Sequence, residues 1–74
     1  MSLYQNIVQV GDVVRINDLC RYTRLHGATG AVVEGPIHES SHPWEIMVVL
    51  VNGELIKFRQ GDTQLEVIAP GGSK

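Results

Sequence analysis

The stretch Trp44-Glu45-Ile46-Met47-Val48-Val49-Leu50-Val51-Asn52-Gly53-Glu54-Leu55-Ile56-Lys57-Phe58-Arg59 decides how this chain folds. Its first half is apolar at nearly every position, so alternation does not say which face meets the core; a central strand with both faces covered reads this way. Asn52-Gly53 follows at once. Both central residues of a type I′ turn need positive φ, which makes Asn-Gly between apolar runs the strongest short hairpin signal. The return strand spans residues 54–59. There Ile56 and Phe58 share one face, and Leu55, Lys57 and Arg59 share the other.

Working outward, the signals stay β. Val10-Gly11-Asp12-Val13-Val14-Arg15-Ile16 opens with a turn and becomes β-branched, with Val14 and Ile16 on one face and Arg15 on the other. Thr29-Gly30-Ala31-Val32-Val33-Glu34 predicts a second short strand that ends at Gly35-Pro36. Gln60-Gly61-Asp62-Thr63 predicts a turn, and Leu65-Glu66-Val67-Ile68 a last strand. No window holds apolar residues at i, i+3, i+4 and i+7 for three turns, and eight glycines and three prolines punctuate the chain. Two long linkers remain, 17–28 and 36–43. Five short strands must close on themselves or expose edges, so the expectation is an all-β, small five-stranded barrel over residues 1–69, with a flexible tail over 70–74.

The layout Gly-Asp-Val-Val-Arg-Ile (11–16), Gly-Ala-Thr-Gly-Ala-Val-Val-Glu (27–34), an apolar strand at 46–51, a hairpin and Leu-Glu-Val-Ile (65–68) resembles the SH3-like barrel superfamily. Within it the chain resembles the KOW segments of ribosomal proteins and NusG-type elongation factors. It also resembles small electron-transport accessory subunits, such as a photosystem I subunit and the variable chain of ferredoxin–thioredoxin reductase. The first likeness implies contact with RNA or the ribosome, and the second implies docking on a larger protein. The matching residues are turn glycines and barrel hydrophobics, which report fold rather than chemistry. The chain departs from RNA-binding KOW segments in its 36–43 loop, which carries Glu39 and no Lys or Arg. It departs from signalling SH3 domains in having few aromatics and no acidic cluster in its first loop.

Composition narrows the function. A 74-residue chain is one domain with a modest core and little room for a cleft. The net charge of −2 argues against duplex DNA, whose binders draw most of their affinity from phosphate neutralisation. That balance is uneven: residues 1–30 hold three arginines against two aspartates, and residues 31–74 three basic against six acidic side chains. The single cysteine, Cys20, rules out an intramolecular disulfide. Met1 to Val10 lacks a basic start and a long apolar run, and the longest apolar run, 46–51, is far below a membrane span. The expectation is a cytoplasmic protein without membrane contact.

No catalytic, cofactor or metal site is expected. His38-Glu39-Ser40-Ser41-His42 spells the H-E-x-x-H pattern of zinc proteases, but that chemistry needs a helix to put both imidazoles on one face. Gly35-Pro36 and Pro43 bracket the motif, and His42, preceding a proline, is pushed out of the α region. At most His38 and His42 bind metal adventitiously. Cys20, near Arg21 and Arg24, reads as a buried filler rather than a reactive thiol. Gly27 to Gly30 lacks the lysine and helix of a P-loop, so turning suffices to explain it.

The 17–26 loop, Asn17-Asp18-Leu19-Cys20-Arg21-Tyr22-Thr23-Arg24-Leu25-His26, is the candidate for function. Arginine and tyrosine are enriched at protein interfaces and stack on unpaired bases, and a long loop on a small rigid body is where function concentrates. Trp44 is either a surface anchor or a cover for a barrel opening. The candidate partner-binding residues are therefore Leu19, Arg21, Tyr22, Arg24 and Trp44. Alternatively Leu19, Tyr22 and Leu25 cap one end of the barrel; both roles can coexist. The expected function is a non-catalytic interaction module or accessory subunit that docks on a larger protein or on its own copy. The alternative is a KOW-like RNA binder using Arg15, Arg21, Arg24 and Tyr22.

Overall fold

A computed structural model of the chain describes residues 7–71. It is all-β: β1 (Val13–Ile16), β2 (Thr29–His38), β3 (Glu45–Val51), β4 (Glu54–Arg59) and β5 (Leu65–Ala69) form one antiparallel sheet in the order β4-β3-β2-β1-β5. A single 3-10 turn, Thr23–Leu25, interrupts the 17–28 linker. Among the described residues no helix is long and apolar enough to cross a membrane.

The hairpin forms as its sequence demands. Asn52 and Gly53 take φ of 51° and 83°, and β3 and β4 pair without a slip from Val51↔Glu54 to Ile46↔Arg59. The face that alternation left open on β3 is settled by the core. Met47, Val49 and Val51 are fully buried against Val14, Ile16, Leu25, Val32 and Leu65. Ile46 and Val48 point to the outer face and are nevertheless buried, Val48 lying opposite Glu34 and Lys57 in the ladders. On β4, Phe58 joins the core and Leu55 is 68 % exposed, following the expected alternation.

β1 begins at Val13, after the expected turn, in which Gly11 takes φ of 100°. β2 does not stop at Gly35-Pro36 but runs on to His38, shortening the expected 36–43 linker. The ladder with β3 skips one residue between Val32 and Glu34 and another between Glu34 and Ile37, so Gly35 and Pro36 sit in a bulge. A proline at a bulge forfeits no ladder hydrogen bond, and the glycine accepts φ of 131°.

The sheet is curled. Side chains from all five strands meet in one cluster, and the molecule extends 30 × 30 × 28 Å, far thicker than a flat sheet. The hydrogen-bonded ladder does not itself close: β4 and β5 are its two edges. A side chain does part of that work instead. The Gln60 amide, just past β4, accepts from the Val8 N–H at 2.8 Å and donates to the Val8 carbonyl at 2.9 Å, standing in for a neighbouring strand. Asp12, buried before β1, accepts from the N–H groups of Gln9 and Gly71, at 3.0 and 2.9 Å, and so joins the approach to β1 to the exit from β5. Residues 72–74 of the tail lie outside the described residues.

Candidate partner-binding site

The 17–26 loop is an excursion tied off at its base. Gly27 N–H donates to the Ile16 carbonyl at 2.7 Å, and Ile16 N–H to Ala28 at 2.9 Å. Asn17 locks the entry. Its Oδ1 accepts from the Leu19 N–H, and its Nδ2 donates to the Thr63 carbonyl at 2.6 Å and to Glu66 Oε2 at 3.2 Å. Inside the loop Leu25 is fully buried and Cys20 nearly so, the Cys20 sulfur accepting from the Tyr22 N–H. His26 Nε2 lies 2.6 Å from the Cys20 carbonyl, which makes Nε2 the protonated nitrogen. Of the three residues expected to cap the core only Leu25 does so; Leu19 and Tyr22 stand 63 % and 48 % exposed. Leu25 and the Cys20 thiol are the loop side chains that enter the core cluster.

Two guanidinium groups, Arg21 and Arg24, lie over the Tyr22 ring, each 5.8 Å from its centroid. Arg24 also makes a two-point ion pair with Glu54 at 2.7 and 3.0 Å, across to the first residue of β4. Arg15 pairs with Glu66 at 3.0 Å. That hydrogen bond, seconded by Asn17, holds the Glu66 carboxyl below its ordinary range. Two of the three arginines expected to make this region basic are therefore matched by carboxylates.

Trp44 is elsewhere. It precedes β3 and lies outside the core cluster. It sits over the outer face of the hairpin, with the Arg59 guanidinium at 5.3 Å and the His42 ring at 5.0 Å. Glu54, which holds the loop, and Arg59, which holds Trp44, are the two ends of β4. The loop and the tryptophan are thus two separate sites about 16 Å apart along the strand.

Around Trp44 is a shallow cavity of about 340 Å³ bordered by Glu39, His42, Ile46, Lys57, Phe58 and Arg59. The H-E-x-x-H segment supplies one wall. It is not helical: His38 ends β2, beside Glu45 at 3.3 Å, and a turn closed by His42 N–H to the Glu39 carbonyl follows. Glu39 faces His42 Nδ1 at 3.4 Å and Lys57 Nζ at 3.2 Å. No group of three metal-ligating side chains occurs among the described residues. Sequence reasoning missed Lys57, Arg59, Glu39 and His42 as neighbours of Trp44. The signal was present: a two-residue turn at Asn52-Gly53 sets Ile46 opposite Arg59, and Trp44 is two residues from Ile46.

Among the described Lys and Arg side chains, Arg15, Arg24 and Lys57 have carboxylate partners. Arg21 and Arg59 have no carboxylate partner; each lies over an exposed aromatic ring, Tyr22 and Trp44 respectively. Comparison with known proteins finds no matching family model, no matching curated protein and no matching solved structure.

Proposed function

We propose that this chain is a small non-catalytic docking module with an SH3-like barrel fold, carried on a larger protein partner. The strand order, with β1 between β2 and β5 and a meander from β2 to β4, supports the fold assignment. One observation carries the functional reading: the two arginines without carboxylates, Arg21 and Arg59, each lie over an exposed aromatic ring. Trp, Tyr and Arg dominate binding energy at protein interfaces, and an arginine already lying on a ring loses little freedom when a partner covers it. Leu19, exposed in the same loop as Tyr22, adds apolar area.

Contact with RNA is the second reading, favoured by two guanidinium groups beside the exposed Tyr22 ring, residue types suited to stacking on an unpaired base. Against it stand the matched charges of Arg15 and Arg24 and the net charge of −2. Affinity capture from native lysate, with and without nuclease, separates the two. The docking reading expects the same protein partner in both arms. Partners that vanish with nuclease, and binding that falls steeply with salt, would establish the RNA reading instead.

A further inference from the structure

The cavity at Trp44 has a composition that specifies more than a generic contact. Its base is apolar, with Ile46 and Phe58 each only 6 % exposed. One wall is the indole of Trp44 under the Arg59 guanidinium. The Glu39–Lys57 ion pair also borders the cavity, with His42 between Glu39 and the indole. The charges of Glu39 and Lys57 offset each other. Arg59 is left as the one cation bordering the cavity without a carboxylate among the described residues. A position over a ring takes up none of a guanidinium's N–H donors, and those donors match a carboxylate in a two-point bond.

Building on the docking reading, we propose that the Trp44–Arg59 cavity receives a side-chain carboxylate of the partner, presented next to an apolar side chain. The carboxylate bonds the Arg59 edge, and the apolar neighbour covers Ile46 and the indole. A volume of about 340 Å³ holds one or two side chains, so the occupant is a short acidic-apolar segment of the partner. A polyphosphate backbone fits less well: it would bring several charges to one unmatched cation, past Glu39, on a chain of net charge −2.

The chain contains one tryptophan, so its indole N–H resonance and its fluorescence report this cavity alone. The full chain is titrated with a capped peptide pairing glutamate with leucine, with the same peptide carrying glutamine or lysine in place of glutamate, and with oligouridylate. The expected result is a saturable shift with the glutamate peptide, with a dissociation constant on the order of 1 mM. The glutamine and lysine peptides should leave the signal in place. Arg59→Gln should weaken binding by about tenfold or more, and Arg59→Lys, which keeps the charge but not the fork, by less. Arg21→Gln, at the other site, should bind like the wild type, and thermal melts establish that each variant is folded. No saturable shift, an equal shift with all three peptides, a stronger response to oligouridylate, or equal losses in Arg59→Gln and Arg21→Gln would each overturn the proposal. If that happens while Trp44 and Tyr22 are still required to capture a protein, the carboxylate assignment falls and the docking reading stands.

Discussion

Glu66 shows how single side chains tie the loop to the sheet. Its carboxylate accepts from Arg15 across the β1–β5 ladder and from Asn17 at the loop entry. Both bonds favour the ionised form, so its titration in the folded chain lies below the ordinary value of 4.5. The stabilisation is therefore present above that value and is lost as pH falls through the lower folded one. Melting temperature measured down the acid range should drop less steeply in Glu66→Gln than in the wild type; parallel curves would contradict this. Gly30 acts by what it lacks. It faces the core between Val14 and Val51, and a Cβ there would lie 2.6 Å from both the Leu50 carbonyl oxygen and Val51 Cγ2. Gly30→Ala should cost about 1–3 kcal/mol in denaturant unfolding, because backbone on one side cannot yield. The sequence offers a turn as the reason for this glycine; the tighter reason, close packing of β2 on β3, appears only once the two strands are paired.

Elements differ in how openly the sequence declares them. The β3–β4 hairpin was legible throughout, since Asn52-Gly53 fixes turn type, loop length and register together. Gly53→Ala should destabilise by about 1 kcal/mol, because the position has open space but a φ of 83°. β2 was legible only to Glu34. Gly-Pro ends a strand where the ladder needs the missing N–H, and whether it does depends on the bulge opposite β3, which no local pattern encodes. The link between Val8 and Gln60 was not legible at all, because a side-chain amide replacing a strand neighbour has no periodicity. Gln60→Ala leaves the buried Val8 N–H and carbonyl without that partner. It should cost about 1–3 kcal/mol and speed amide exchange at Val8 well before it affects Val49 in the centre of β3. Equal protection at Val8 in both proteins would show that the amide contributes nothing.

At the scale of the whole molecule the charge pattern is the informative feature. A formal charge of −2 conceals a surface where, among the described residues, three cations are matched with carboxylates and the two that are not, Arg21 and Arg59, lie over aromatic rings. The 17–26 loop and Trp44 were individually visible in the sequence as interface-type residues. Their separation to the two ends of β4 was not, because it depends on the curl of the sheet and on Arg24 reaching Glu54. Two spaced anchors on a body about 30 Å across suit attachment to one larger surface, each anchor contributing without a deep cleft. The most direct test is capture from nuclease-treated lysate by the wild type and by the double variant Tyr22→Ala, Trp44→Ala, quantified by mass spectrometry with both proteins shown to be folded. The docking account predicts that a protein recovered stoichiometrically by the wild type is lost at least about tenfold by the variant. Recovery of that protein in equal amounts by both would contradict it.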